Sequence, residues 1–204
     1  MVEIAVSDLS PELRQLAVKA REAAQRGDIA VVEALCQQIL IAQPSCVGIR
    51  KLWFELELQQ GVRAASLLSR LRGLLYNRAT QPKSGDSPVD GCVKADALLA
   101  AEFSNRRGWQ NLIRAAHDQA MIETELLAWR AYQEVYPADS EIGLGRARAL
   151  RRAERDREAL EVAQQVLARY PNDGQALALV RQISVALTMK SGKLKDGGNP
   201  LNGS

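Results

Sequence analysis

The sequence predicts an all-α protein built from repeated helix pairs. The composition is the first reason. Aromatic residues make up 4% of the chain, while 47% of the 204 residues are hydrophobic and 25% charged. Ala, Leu, Arg, Glu and Gln dominate, and these lose little conformational freedom in a helix. The second reason is negative: Val and Ile never fall into the alternating runs that a half-buried strand needs. The third is a period. Tyr136-Pro137-Ala138-Asp139 recurs as Tyr170-Pro171-Asn172-Asp173 with its proline 34 residues on, and Arg26-Gly27 is echoed at the same spacing by Gln60-Gly61.

Each punctuation mark has a mechanism. Proline ends a helix because it lacks the N–H and clashes with the preceding turn. An Asp, Asn or Ser after it caps the next helix. Glycine suits the left-handed residue that closes the first helix of an antiparallel pair. Each unit therefore reads helix, glycine turn, helix, proline turn.

In chain order, residues 1–11 form an N-terminal arm, and 12–77 hold two units, the second running into an irregular one. The register breaks between Pro44 and Pro137, whose separation of 93 is not a multiple of 34. Pro82, Gly85, Pro88 and Gly91, set among Ser, Asp and Lys, mark residues 78–91 as a flexible loop. The loop joins the two helices of the irregular unit, and helix resumes around Cys92 to Phe103. Residues 92–188 carry further units. They end in a capping helix with apolar spacing at Ala176, Leu177, Val180, Ile183 and Leu187. Residues 189–204, with Lys190-Ser191-Gly192-Lys193 and Gly197-Gly198-Asn199-Pro200, read as a disordered tail.

With Pro137 at position 32 of a 34-residue register, Trp109 falls at position 4, Leu112 at 7 and Trp129 at 24. Ala159 falls at position 20 of the next unit. Pro44 places Leu16 at 4, Ala20 at 8 and Gly27 at 15, and the second unit has Trp53 at 7 and Gly61 at 15. In these residues the chain resembles the tetratricopeptide repeat family over roughly 12–188. Departures are Gly143 and Arg146 where apolar residues are usual, and Ile113 at position 8. The resemblance implies a right-handed α-α superhelix, a solenoid of about five helix pairs with the middle one irregular, plus the capping helix.

Motifs for chemistry are missing. The one histidine, His117, cannot build a multi-histidine metal site, and Cys36, Cys46 and Cys92 show no CxxC pairing. Gly143-Leu144-Gly145 lacks the preceding strand and following Lys of a phosphate loop and reads as a packed helix start. Glu123 and Glu125 read as a solvated helix face. No catalytic residue, cofactor, metal or small-molecule substrate is expected. The residues before Pro11 form no signal peptide and no apolar run is long enough to span a membrane, so a reduced cytoplasmic setting fits.

The expected function is a protein-interaction scaffold. In the family, positions 2, 5, 9 and 12 of each first helix share a face that lines the groove. Here they read Arg14, Ala17, Arg21 and Ala24; Gly48, Lys51, Glu55 and Leu58; Arg107, Gln110, Arg114 and His117; and Glu141, Leu144, Arg148 and Arg151. Arginine holds position 9 in three of the four, against a net charge of only +3. Guanidinium forks suit carboxylates, so an acidic peptide or protein surface is the expected partner, with Gln110 and Asn111 as donors to its backbone. The alternative is a nucleic-acid-associated factor using the basic groove. It is disfavoured because Trp53, Trp109 and Trp129 fall at core positions rather than as stacking platforms. The family's carboxylate clamp of Lys and Asn is absent from the matching positions.

Overall fold

A computed structural model describes residues 1–59 and 88–196. The expected helix over 62–77, Gly61, loop residues 78–87 and tail residues 197–204 lie outside them. The described residues are all-helical, with nine α-helices and no strand. Adjacent helices pack on one another. They divide into two units, Met1–Val135 and Tyr136–Ser204.

The first unit opens with an extended arm and a 3₁₀ turn, Val6–Asp8, followed by α1 (Pro11–Gln25), α2 (Ile29–Ala42) and α3 (Val47–Gln59). Then come α4 (Pro88–Ala101), α5 (Arg106–Asp118) and α6 (Ile122–Val135). Two sequence expectations shift here. Pro88 and Gly91, assigned to the loop, belong to α4, because proline fits the first helical position, where its missing N–H is no loss. Gly91 sits at a close approach of the two helices: a Cβ there would come within 3.1 Å of Ala115, and one at Gly108 within 2.9 Å of Leu99. These two glycines let α4 and α5 pack closely.

The core of this unit is aromatic. Trp53, Phe54, Phe103 and Trp109 form edge-on or tilted pairs with centroids 5.0–6.3 Å apart, and Tyr132 stacks on Trp109 at 6.0 Å. α3 packs against α2 and α6, and α2 also packs against α4.

The second unit is α7 (Ser140–Arg152), α8 (Asp156–Arg169) and α9 (Gly174–Asp196). α9 continues to Asp196, so the helix takes in the first part of the segment read as tail. Asp173 caps it, its carboxylate accepting from the backbone N–H of Gln175 and Ala176 at 2.9 and 3.0 Å. The recurring Tyr-Pro turns are tied together: Arg169 Nη1 donates to the Pro137 carbonyl at 2.7 Å and the Tyr170 hydroxyl to that of Ala138.

Three hairpins close identically. Gly27, Ala120 and Glu154 follow α1, α5 and α7, and each has a left-handed φ, of 75°, 55° and 59°. In each the next residue reaches back across the turn: Asp28 to Ala23, Met121 to Ala116 and Arg155 to Leu150, all at 2.9 Å. Ala120 and Glu154 are 34 residues apart, the spacing of the prolines. Only the first turn carries the glycine its geometry favours. Ala120→Gly and Glu154→Gly should therefore each add roughly 1 kcal/mol of stability by relieving the left-handed strain, read as a raised midpoint in urea.

Candidate partner-binding face

α5 is capped by Asn105, whose side chain accepts from Gly108 N at 2.9 Å. Its apolar positions, Trp109, Leu112, Ile113 and Ala116, turn into the core. Trp109 is fixed there by donating Nε1–H to the Phe103 carbonyl at 2.8 Å. The opposite stripe, Arg107, Gln110, Arg114 and His117, is exposed throughout, with Asn111 half-buried beside it. Ten residues of helix separate its ends, about 15 Å of surface, or four to five residues of an extended peptide.

The stripe is cationic and open. Among the described residues neither Arg107 nor Arg114 has an ion-pair partner. His117 is engaged differently, its Nδ1 lying 3.2 Å from the Glu125 carboxylate. Glu125 is only 7% exposed and faces this histidine, so it is no part of a solvated helix face; Glu123 is exposed as expected.

The other sequence-predicted residues are distributed as follows. Arg14 and Arg21 are exposed on α1, seven residues apart and also without ion pairs among the described residues, but Ala17 between them is buried. On α3 Lys51 is exposed and lies 3.8 Å from Glu55, whereas Gly48 is covered: a Cβ there would stand 2.9 Å from Val6 of the arm. On α7 Arg148 is exposed and donates to Gln175 of α9 at 2.9 Å, Arg151 is half-buried and Leu144 is buried. The unbroken row is therefore that of α5.

A buried network went unread in the sequence. Arg50, fully buried on α3, forks onto Asp96 of α4, with Nη2 to Oδ2 at 2.6 Å and Nε to Oδ1 at 3.1 Å. Its Nη1 reaches Thr124 Oγ1 on α6 at 3.5 Å. Burial pulls the guanidinium pKa down, but the Asp96 carboxylate beside it and the nearby cysteines together raise it on balance, so Arg50 stays charged. The buried thiols are kept protonated: burial raises Cys46 and pushes Cys92 up to about 11 beside Arg50, and pushes Cys36, beside Cys46, up to about 12.

A cavity of about 330 Å³ is floored by Phe54, Leu58, Leu127 and Ala131, and Glu55, Arg130 and Glu134 rim it. Gln59 lines it too, and Arg130 is paired with Glu134 at 3.0 Å. Among the described residues no three His, Cys, Asp or Glu side chains gather as a metal site, and no helix is long and apolar enough to cross a membrane. The chain matches no family model, no curated protein and no solved structure.

Proposed function

We propose that the protein is a tetratricopeptide-like interaction scaffold whose basic helix faces, that of α5 foremost, bind an acidic peptide or an acidic protein surface. One observation carries this reading: Arg107, Gln110 and Arg114 stand exposed in a row on α5 with both guanidinium groups unpaired among the described residues. An unpaired guanidinium offers its full fork of donors to a carboxylate. The amides of Gln110 and Asn111 supply neutral donors for a peptide backbone. The shared closure of the three hairpins, two of them 34 residues apart at Ala120 and Glu154, together with the Tyr-Pro turns, supports the repeat assignment.

A basic stripe also attracts nucleic acid. Two of the three tryptophans argue against that partner, since Trp53 and Trp109 are fully buried in the core and offer no surface for base stacking, whereas Trp129 is half-buried.

The test is affinity capture with mass spectrometry, using the wild-type chain beside Arg114→Glu and, separately, Arg148→Glu. Arg114→Glu should lose a defined set of acidic partners, with the far-ultraviolet helical signal unchanged. Retention of every partner by both variants would refute the proposal.

A further inference from the structure

We propose that residues 1–8 form a strap, latched by Glu3, which opens as a unit while the helices stay folded and thereby uncovers the thiol of Cys46. The case rests on an asymmetry between cover and covered. None of residues 1–8 is buried, and the chain becomes anchored only at Leu9, 3% exposed, next to the Ser10 cap of α1. Beneath the strap Ser45 and Cys46 are fully buried. A segment held by a few polar bonds and little apolar contact opens at lower free energy than the core around it.

Those bonds are specific. The Glu3 carboxylate accepts from the backbone N–H of Glu123 at 2.9 Å and of Thr124 at 2.6 Å, capping the first turn of α6 from a distant part of the chain. These charge-assisted bonds at the positive end of a 14-residue helix hold the strap beside a second one, from the Met1 ammonium to the Gln119 carbonyl at 2.6 Å. Ile4 donates its N–H to the Ser45 carbonyl at 3.2 Å and pairs in parallel with Cys46. Val6 then rests on Gly48, where a side chain would collide with it. Met1, Glu3, Ile4 and Val6 thus hold the strap in succession, and Glu3 sits in the middle with two of the bonds, so losing it loosens the rest.

The cysteines supply the readout. Cys36 lies in α2 and Cys92 in α4, so helix packing covers them, whereas Cys46 precedes α3 and pairs with the strap. Local opening exposes Cys46 alone; global unfolding exposes all three. The full chain is treated with N-ethylmaleimide under native conditions, and each cysteine is followed by peptide-resolved mass spectrometry.

In the wild type Cys46 should react about ten-fold or more faster than Cys36 and Cys92. Glu3→Gln, which removes the charge and one acceptor, should raise the Cys46 rate roughly ten-fold again and leave the other two unchanged. Gly48→Ala keeps the Glu3 latch but pushes a methyl group into Val6, and should also speed Cys46. Equal rates for the three cysteines in the wild type, or a parallel rise of all three in Glu3→Gln, would show that the strap opens only with the whole fold. A Cys46 rate unchanged in both variants would remove the latch.

Discussion

Arg50→Met should destabilise the first unit by about 3–5 kcal/mol, the largest single-residue effect expected outside the aromatic core. The loss comes mainly from the partner left behind. Asp96 is buried on α4, and without the two-bonded guanidinium its carboxylate has no compensating charge in a site that water does not reach. The paired replacement Arg50→Met with Asp96→Leu should recover most of that stability, since apolar side chains of similar volume need no desolvation. Urea unfolding of the two single variants and the double variant checks this. A double variant as unstable as Arg50→Met alone would mean that the pair stabilises by attraction rather than being costly to break.

Trp109→Ala should cost about 3–5 kcal/mol through the cavity it leaves among Phe54, Phe103 and Tyr132. A finer comparison separates volume from hydrogen bonding. Trp109 donates to Phe103, whereas Trp53 Nε1 is buried with no partner among the described residues. Trp109→Phe therefore loses a bond to a part-buried carbonyl, about 1 kcal/mol beyond the lost volume. Trp53→Phe loses volume only and removes an unsatisfied donor. Denaturant midpoints should rank Trp53→Phe above Trp109→Phe, and Trp109→Ala lowest.

What the sequence disclosed and what it hid follow from whether a residue acts through its neighbours in sequence or in space. The α5 stripe was legible because Arg107, Gln110, Arg114 and His117 alternate with Trp109, Leu112, Ile113 and Ala116 at helical spacing. Gly27 was legible as a turn because glycine favours positive φ. Ala120 and Glu154 were not, since packing of the helix pair imposes the same conformation on residues that do not seek it.

Arg50 sits on the same stripe as Ile49, Trp53 and Phe54, and that position is the one local hint that its charge is buried. Its partner Asp96 is 46 residues away, beyond any local pattern. Glu125 was misread because only the fold brings His117 against it. The arm was recognised as a separate segment, but Glu3 caps a helix 120 residues distant, and no spacing rule reaches that far.

The claim that an acidic partner binds the α5 face is tested most directly by titrating labelled extended peptides against the purified chain and following fluorescence anisotropy. Peptides rich in Asp and Glu should bind, and their affinity should fall as salt rises, because the contact is charge on charge at an exposed surface. In Arg107→Glu with Arg114→Glu, acidic peptides should lose ten-fold or more in affinity while Lys-rich peptides of equal length gain. Binding of acidic peptides that is unchanged by the double charge reversal would contradict the account, as would tighter binding of single-stranded RNA than of any acidic peptide at the same salt.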